Sequence, residues 1–180
     1  MLKAKHLSLL FEFLKPGDDR ILLKISSYRN PVLTVFFKAI TYSGVGLAYY
    51  LLVAIVAFLH YLKIDWIPNQ VVFLRCMLAP LIAWVLSRAI KRTVGRVRPL
   101  VTGALIPLPP CESFPSGHAA AAFALVAALA LNHHPSVPYV LGWGILIAFS
   151  RLYLAVHFPS DVLAGTILGL GCGFLASVWI

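Results

Sequence analysis

The stretch FPSGHAAAAFALVAALAL, residues 114–131, places a polar Pro-Ser-Gly-His tetrapeptide directly before about four turns of apolar sequence. Proline suits the start of a helix, where its missing N–H would be unpaired in any case, and serine is a favourable N-cap. The N–H groups of Ser116, Gly117 and His118 would then point outward from the positive end of a helix dipole, an arrangement that binds phosphate. The stretch therefore predicts an apolar helix that begins with an anion-binding turn and presents a histidine.

The composition of the whole chain indicates an integral membrane protein. Of its 180 residues, 61% are hydrophobic and 12% are charged, and the mean hydropathy is +0.90. Soluble domains are nearer half apolar and a quarter charged. The apolar residues form blocks close to the length of about 20 that a bilayer helix needs. The predicted fold is an all-α polytopic transmembrane bundle of about five spans, at residues 44–62, 71–90, 116–131, 137–156 and 162–180.

The first 43 residues differ from the rest because basic residues interrupt their apolar sequence. These basic residues are Lys3, Lys5, Lys15, Arg20, Lys24, Arg29 and Lys38. Such spacing favours one or two amphipathic helices at the membrane interface, the second at about residues 31–40. A hidden sixth span is the alternative. The prediction divides the chain into an interfacial segment, residues 1–43, and a transmembrane core, residues 44–180.

Charge and cysteine content exclude several classes of protein. The formal charge is +9, but the basic residues flank the apolar blocks, a placement typical of contact with anionic lipid or an anionic substrate and not of nucleic-acid binding. The three cysteines indicate no disulfide framework, and no Cys/His spacing resembles a zinc site. Gly165, Gly169 and Gly173 recur at four-residue spacing, which predicts close helix packing within the bundle, with homodimerisation as the alternative.

Polar residues from three separate segments are predicted to meet at one face of the membrane. If successive spans alternate in direction, residues 91–99, 115–118 and 150–161 all lie at the same face. Polar clusters of this kind in a membrane protein mark functional sites. On a continuing helix, Lys91 and Arg98 would share a face about 10 Å apart, close enough to hold one anion.

Four other charged residues are predicted to lie outside this site. Arg92 and Arg96 are assigned to lipid headgroups, and Asp18 and Asp19 to a solvated turn.

Together these segments resemble the three signature motifs of the type 2 phosphatidic acid phosphatase (PAP2) superfamily. The matching patterns are Lys91-x6-Arg98-Pro99, then Pro115-Ser116-Gly117-His118, then Ser150-Arg151-x5-His157-x3-Asp161. All three are complete and in order. Many bacterial members have six spans, however, whereas five are predicted here.

The resemblance implies a catalytic role for three residues. His157 would attack phosphorus to give a phosphohistidine, Asp161 would fix the tautomer of His157, and His118 would protonate the leaving oxygen. The residues implied to hold the phosphoryl oxygens are Lys91, Arg98, Arg151, Ser116 and Gly117. Three fixed cations can replace a metal ion, so neither a cofactor nor Mg²⁺ is expected.

The resulting hypothesis is an integral-membrane lipid phosphatase acting on a lipid phosphomonoester or pyrophosphate. Lipid A 1-phosphate and undecaprenyl pyrophosphate are the favoured substrates, and phosphatidylglycerophosphate and phosphatidic acid are the others. A lipid phosphotransferase and a non-catalytic lipid-phosphate binder are the alternative functions. No oligomer is required.

The membrane orientation is predicted with two indications in conflict. The positive-inside rule places the basic face of the bundle in the cytoplasm. The bacterial members of the resembled family usually place this site at the periplasmic face. The prediction follows the family: a multi-pass protein of the bacterial inner membrane whose site faces the periplasm.

Overall fold

A computed structural model describes residues 2–44, 51, 70–108 and 110–179. Within them lie six helices, which we number in chain order: α1 Leu2–Ser26, α2 Pro31–Ser43, α3 Gln70–Val94, α4 Gly117–Ala130, α5 Val137–Tyr153 and α6 Pro159–Trp179. The predicted all-helical class is confirmed. The first predicted span, residues 44–62, falls outside the described residues apart from Gly44 and Leu51.

Helices α3, α5 and α6 pack around α4, whose buried face consists largely of alanine. The three glycines at four-residue spacing are buried on α6 against α4, because a Cβ at Gly165 would collide with the carbonyl of Ser116 and one at Gly169 with the carbonyl of Ala120. Small residues of this kind allow helix backbones to approach closely. The glycine spacing therefore serves packing inside the bundle, as predicted.

Replacing Gly169 with alanine is expected to destabilise the bundle, because the new methyl group would overlap the backbone of α4. Overpacking of this kind costs about 3 kcal/mol. Gly171→Ala is the matched control in the same helix, since nothing lies within 4 Å of its Cβ position, and alanine is the better helix former. Thermal unfolding in detergent should show a lower Tm for G169A alone. Equal Tm values would contradict the close approach of α6 and α4.

Two of the described helices are long and apolar enough to cross a bilayer, namely α3 and α6. Helices α4 and α5 are apolar but shorter, at 14 and 17 residues. The count of five spans stays a prediction.

Helix α2 packs along α5. At the start of α2, Asn30 N–H donates to the hydroxyl of Tyr153 at 3.1 Å, and at its end Ser43 Oγ accepts from the indole of Trp143 at 3.0 Å. The two helices therefore run antiparallel. Because its outward side chains include exposed Val32 and Val35, α2 presents an apolar outer face. The interfacial position of residues 31–40 stays a prediction.

Candidate active site

The three motif segments are brought together at one end of the bundle by hydrogen bonds between their backbones and side chains. The N–H of Ser116, at the start of α4, donates to the carbonyl of Asp161, at the start of α6, at 2.9 Å. Ser113 N–H donates to the carbonyl of Arg96 at 2.8 Å. Arg98 Nη1 donates to the carbonyl of Val156 at 2.6 Å. The predicted meeting of three distant segments is therefore present in the fold.

Lys91 and Arg98 converge by a route that the sequence did not predict. A continuing helix is wrong, because α3 ends at Val94 and Gly95 follows with a φ of 68°, a left-handed conformation that glycine adopts easily. Lys91 Nζ donates to the carbonyls of Glu112 and Ser113 at 2.8 and 2.9 Å. Because the chain turns at Gly95, Lys91 and Arg98 face the same loop. Both side chains are buried.

The nucleophile candidate His157 lies in the turn between α5 and α6 and is 2% exposed. The chain reverses just before it at Ala155, a buried residue with a φ of 53°. Non-glycine residues held in this left-handed region are uncommon and often occur at functional sites. The ring lies between two charged groups: Nδ1 is 3.6 Å from Asp161 Oδ2, and Nε2 is 3.5 Å from Arg98 Nη1.

Burial holds the pKa of His157 well below its ordinary value, and the positive charges of Arg151, Lys91 and Arg98 lower this pKa further. A backbone hydrogen bond with Ser113 acts in the opposite direction. The imidazole is therefore neutral at physiological pH, which leaves a nitrogen lone pair available for nucleophilic attack.

Asp161 is fully buried, and both of its carboxylate oxygens accept hydrogen bonds. Oδ1 pairs with Arg96 Nη1 at 2.6 Å, and Oδ2 accepts from Phe158 N–H at 2.9 Å. Helix α6 begins at Pro159, so the Asp161 side chain reaches back over the helix start toward His157. Its distance of 3.6 Å from the ring is just beyond hydrogen-bond range, and such contacts often tighten when substrate binds.

Arg96 and Asp18 are not where the sequence analysis placed them. Arg96 does not face lipid headgroups: it is buried and bridges Asp161 to Asp18, whose Oδ2 lies 2.8 Å from Arg96 Nη2. Asp18 does not lie in a solvated turn, since it is 5% exposed within α1. Arg96 could have been suspected from its position inside the first motif. No sequence signal links Asp18 to a residue 78 positions away.

The start of α4 differs in one detail from the predicted anion-binding turn. The N–H of Ser116 is not free, because it bonds to the carbonyl of Asp161. Gly117 and His118 occupy the first turn of the helix, where N–H groups have no partner within the helix. A Cβ at Gly117 would lie 2.9 Å from Ser87 Oγ, so glycine allows α4 to pack closely against α3 here.

His118 and Arg151 complete the set of predicted site residues. His118 is half-buried and lies within electrostatic range of Arg151 and His157. Arg151, 2% exposed, donates from Nη1 to Thr41 Oγ1 at 2.5 Å. The contact with Thr41 ties α2 to the site and was not predicted.

The electrostatic balance of this cluster favours an anion. Among the described residues, no carboxylate forms an ion pair with Lys91, Arg98 or Arg151, although all three are buried. Uncompensated buried charges are costly. Four side-chain N or O atoms in the described residues are buried without a hydrogen-bond partner, and three belong to this site: Ser116 Oγ, Arg151 Nε and His157 Nδ1. A bound phosphoryl group would neutralise the cations and supply hydrogen-bond acceptors.

The fold and this cluster define a helical membrane protein with a buried, cationic site for an anion. Residues 47–180 match the family model of the PAP2 superfamily. Since the match covers most of the chain, the protein belongs to this superfamily, and the resemblance noted in the sequence is confirmed.

Known proteins similar to this chain include phosphatases whose names specify lipid phosphates. Undecaprenyl-diphosphatase of Sulfolobus acidocaldarius is 37% identical over 101 residues, which cover 53% of this chain and 48% of that protein. The chain thus spans about half the length of the curated relatives it matches.

Two solved structures resemble the fold over most of its length. The PAP2-type phosphatidylglycerolphosphate phosphatase of Bacillus subtilis has a TM-score of 0.76 at 27% identity, covering 99% of this chain and 96% of that one. Aquifex aeolicus LpxE has a TM-score of 0.74 at 28% identity, covering 89% and 94%.

Proposed function

We propose that this protein is an integral-membrane phosphatase that hydrolyses a lipid phosphomonoester or pyrophosphate. The proposal is carried by one observation: three buried cations, none of them paired with a carboxylate among the described residues, lie near a buried histidine whose pKa is held well below its ordinary value by burial and by these cations. A binder of lipid phosphate would need the cations but not a neutral imidazole positioned between an arginine and a carboxylate. Phosphoryl transfer is catalysed largely by positioning and charge neutralisation, which this cluster can supply.

In the first step, His157 Nε2 attacks the phosphorus atom. This nitrogen faces Arg98, while Nδ1 faces Asp161. In the tautomer with its proton on Nδ1, toward Asp161, the lone pair is on Nε2 and meets a phosphoryl group held by Arg98. A bond forms between Nε2 and phosphorus as the bond to the leaving oxygen breaks, and His118 gives its proton to that oxygen. Asp161 stabilises the positive charge that develops on the imidazole.

In the second step, water hydrolyses the phosphohistidine. His118, now neutral, takes a proton from the attacking water, the bond between phosphorus and Nε2 breaks, and inorganic phosphate is released. The three cations, the first-turn N–H groups at Gly117 and the hydroxyl of Ser116 hold the phosphoryl oxygens through both steps. No residue changes its net protonation over the cycle.

The substrate is proposed from the names of similar proteins together with the sequence analysis. Undecaprenyl pyrophosphate and lipid A 1-phosphate are the first choices, because the similar proteins include an undecaprenyl-diphosphatase and a lipid A 1-phosphatase. Phosphatidylglycerophosphate and phosphatidic acid complete the panel. The test is phosphate release from each lipid by the purified protein in detergent with EDTA present. We expect release from at least one lipid; tight binding without release from any would favour the non-catalytic alternative.

The pH dependence of turnover is expected to reflect the neutral state of His157. The ordinary pKa of histidine is about 6.5, and that of His157 is held well below its ordinary value by burial and nearby cations. A lowered pKa means that the nucleophile stays unprotonated as the pH falls. With p-nitrophenyl phosphate, whose leaving group does not need the proton of His118, kcat/KM should therefore remain level from pH 7.5 to about 6.5 and decline only at lower pH. A profile that has already fallen by half at about pH 7 would contradict this assignment.

We place the site at the periplasmic face of the bacterial inner membrane, following the family and not the positive-inside rule. The last helix, α6, leaves the site face at Pro159, so the C-terminus at Ile180 should be cytoplasmic. A reporter fused after Ile180 tests this orientation. Activity of a reporter that works only in the periplasm would reverse it.

A further inference from the structure

A carboxylate of the N-terminal helix is bonded into the active site. Asp18 Oδ2 contacts Arg96 Nη2 at 2.8 Å and accepts from Ser160 Oγ at 2.5 Å, while Oδ1 accepts from Ser160 N–H at 3.0 Å. Asp18 therefore both caps the start of α6 and pairs with Arg96. It lies outside residues 47–180, which the family match covers.

Arg96 is held in place from several directions, two of them provided by α1. Its guanidinium lies between the rings of Phe11 and Phe158, 4.4 and 4.2 Å from their centroids. One end nitrogen, Nη1, contacts Asp161, and the other, Nη2, contacts Asp18. Because each end nitrogen of Arg96 donates to a different carboxylate, Arg96 makes a single hydrogen bond with Asp161 and not a bidentate pair.

This division of Arg96 between two carboxylates has a consequence for His157. Arginine and a single carboxylate favour a bidentate pair. If Nη2 were released from Asp18, it could take Asp161 Oδ2, the oxygen that lies 3.6 Å from His157 Nδ1. The histidine would then lose the carboxylate that orients its ring and stabilises its charge in the transition state.

We infer that Asp18 is a positioning residue for the proposed phosphatase: by occupying one nitrogen of Arg96, it keeps Asp161 Oδ2 directed at His157. Asp18 touches neither the substrate nor the reacting atoms in this arrangement. This inference rests on the proposed function, and it makes α1 part of the catalytic machinery in addition to its predicted place at the membrane interface.

The test is a double-mutant cycle on the purified full-length protein, with Asp18→Asn, Arg96→Gln and the combined variant. Substrate is the lipid that the wild-type protein hydrolyses. We expect D18N to lower kcat by about 10- to 100-fold, the loss seen at metal sites when a residue that orients a ligand is removed. KM should change by less than about threefold. In the R96Q background, D18N should lower kcat by less than about threefold more, because both changes break the same link.

Asp19→Asn is the matched control, since it removes the same charge from the adjacent, half-buried residue, which forms no ion pair among the described side chains. It should keep kcat within about twofold of wild type. Unaltered kcat in folded D18N, or a loss that multiplies fully with R96Q, would overturn the inference while leaving the phosphatase proposal intact. Absence of turnover in the wild-type protein would instead reject the proposed function.

If D18N cannot be recovered folded, Arg96→Lys examines the same link. Lysine keeps the positive charge but has a single nitrogen, which cannot hold Asp18 and Asp161 as two nitrogens do. The expected result is again a lowered kcat with little change in KM. A folded R96K protein with wild-type kcat would overturn the inference.

Discussion

Replacing His157 with asparagine is expected to abolish phosphate release, with a fall in kcat of at least about 10³-fold, the range seen when a nucleophile that acts with its partners is removed. Asparagine is polar and of similar size, but the lone pair of its amide nitrogen is delocalised into the carbonyl group and cannot attack phosphorus. The cations Lys91, Arg98 and Arg151 remain, so the variant should still bind the lipid phosphate. Phosphate release and lipid binding, measured on the same preparation, separate these two effects.

The matched control for this prediction is His133→Asn. His133 is exposed just beyond the other end of α4, and its φ is 50°, a conformation that asparagine tolerates well. The kcat of H133N should equal that of the wild-type protein. If H157N turns over at more than about a tenth of the wild-type rate, His157 is not the nucleophile.

Replacing His118 with alanine is expected to produce a loss that depends on the leaving group. General acid catalysis contributes about 10²- to 10⁴-fold, and a lipid alkoxide needs that proton whereas p-nitrophenolate leaves without it. For p-nitrophenyl phosphate, H118A should therefore form the phosphohistidine at close to the wild-type rate. Hydrolysis of the intermediate should then be slow, because His118 is also needed to activate water.

The measurement is a rapid-mixing experiment with p-nitrophenyl phosphate. H118A should release a burst of about one p-nitrophenol per protein and then continue slowly, while lipid substrate gives almost no product. Equal losses with both substrates, and no burst, would show that His118 does not protonate the leaving group. In that case its closeness to Arg151 and His157 would be explained better by binding of the phosphoryl group.

The parts of this site that could be predicted from the sequence are those encoded by local patterns. The Pro-Ser-Gly-His turn predicts a helix start at residues 116–117, and α4 begins at Gly117. Alternation of apolar blocks places the His118 and His157 segments at one end of the bundle. These inferences succeed because helix starts and span lengths depend on neighbouring residues and on the bilayer thickness.

The contacts that could not be predicted are those made by side chains between elements remote in sequence. Asp18 and Arg96 are 78 residues apart, and Thr41 and Arg151 are 110 apart. A charged residue in a basic, apolar segment is normally solvated. From the sequence alone, an exposed position is therefore the expected one for Asp18. Only the packing of α1 against the start of α6 removes that carboxylate from water.

The expectation of a continuous helix from Lys91 to Arg98 failed for a different reason. Spacing by seven suggests one helix face, yet the helix ends at Val94 and Gly95 turns the chain. Both cations nevertheless face the same loop, because carbonyls of the loop after residue 110 position each of them. Glu112 and Ser113 accept from Lys91, and Cys111 accepts from Arg98.

The most direct test of the account is to identify the residue that carries the phosphoryl group during turnover. H118A, mixed with p-nitrophenyl phosphate and quenched at alkaline pH, should retain the intermediate, and peptide mapping by mass spectrometry locates it. We expect one phosphoryl group per chain, on the imidazole of His157, stable to base and lost in acid. A phosphoryl group on any other residue, or steady turnover in the wild-type protein with no phosphorylated intermediate, would contradict the account.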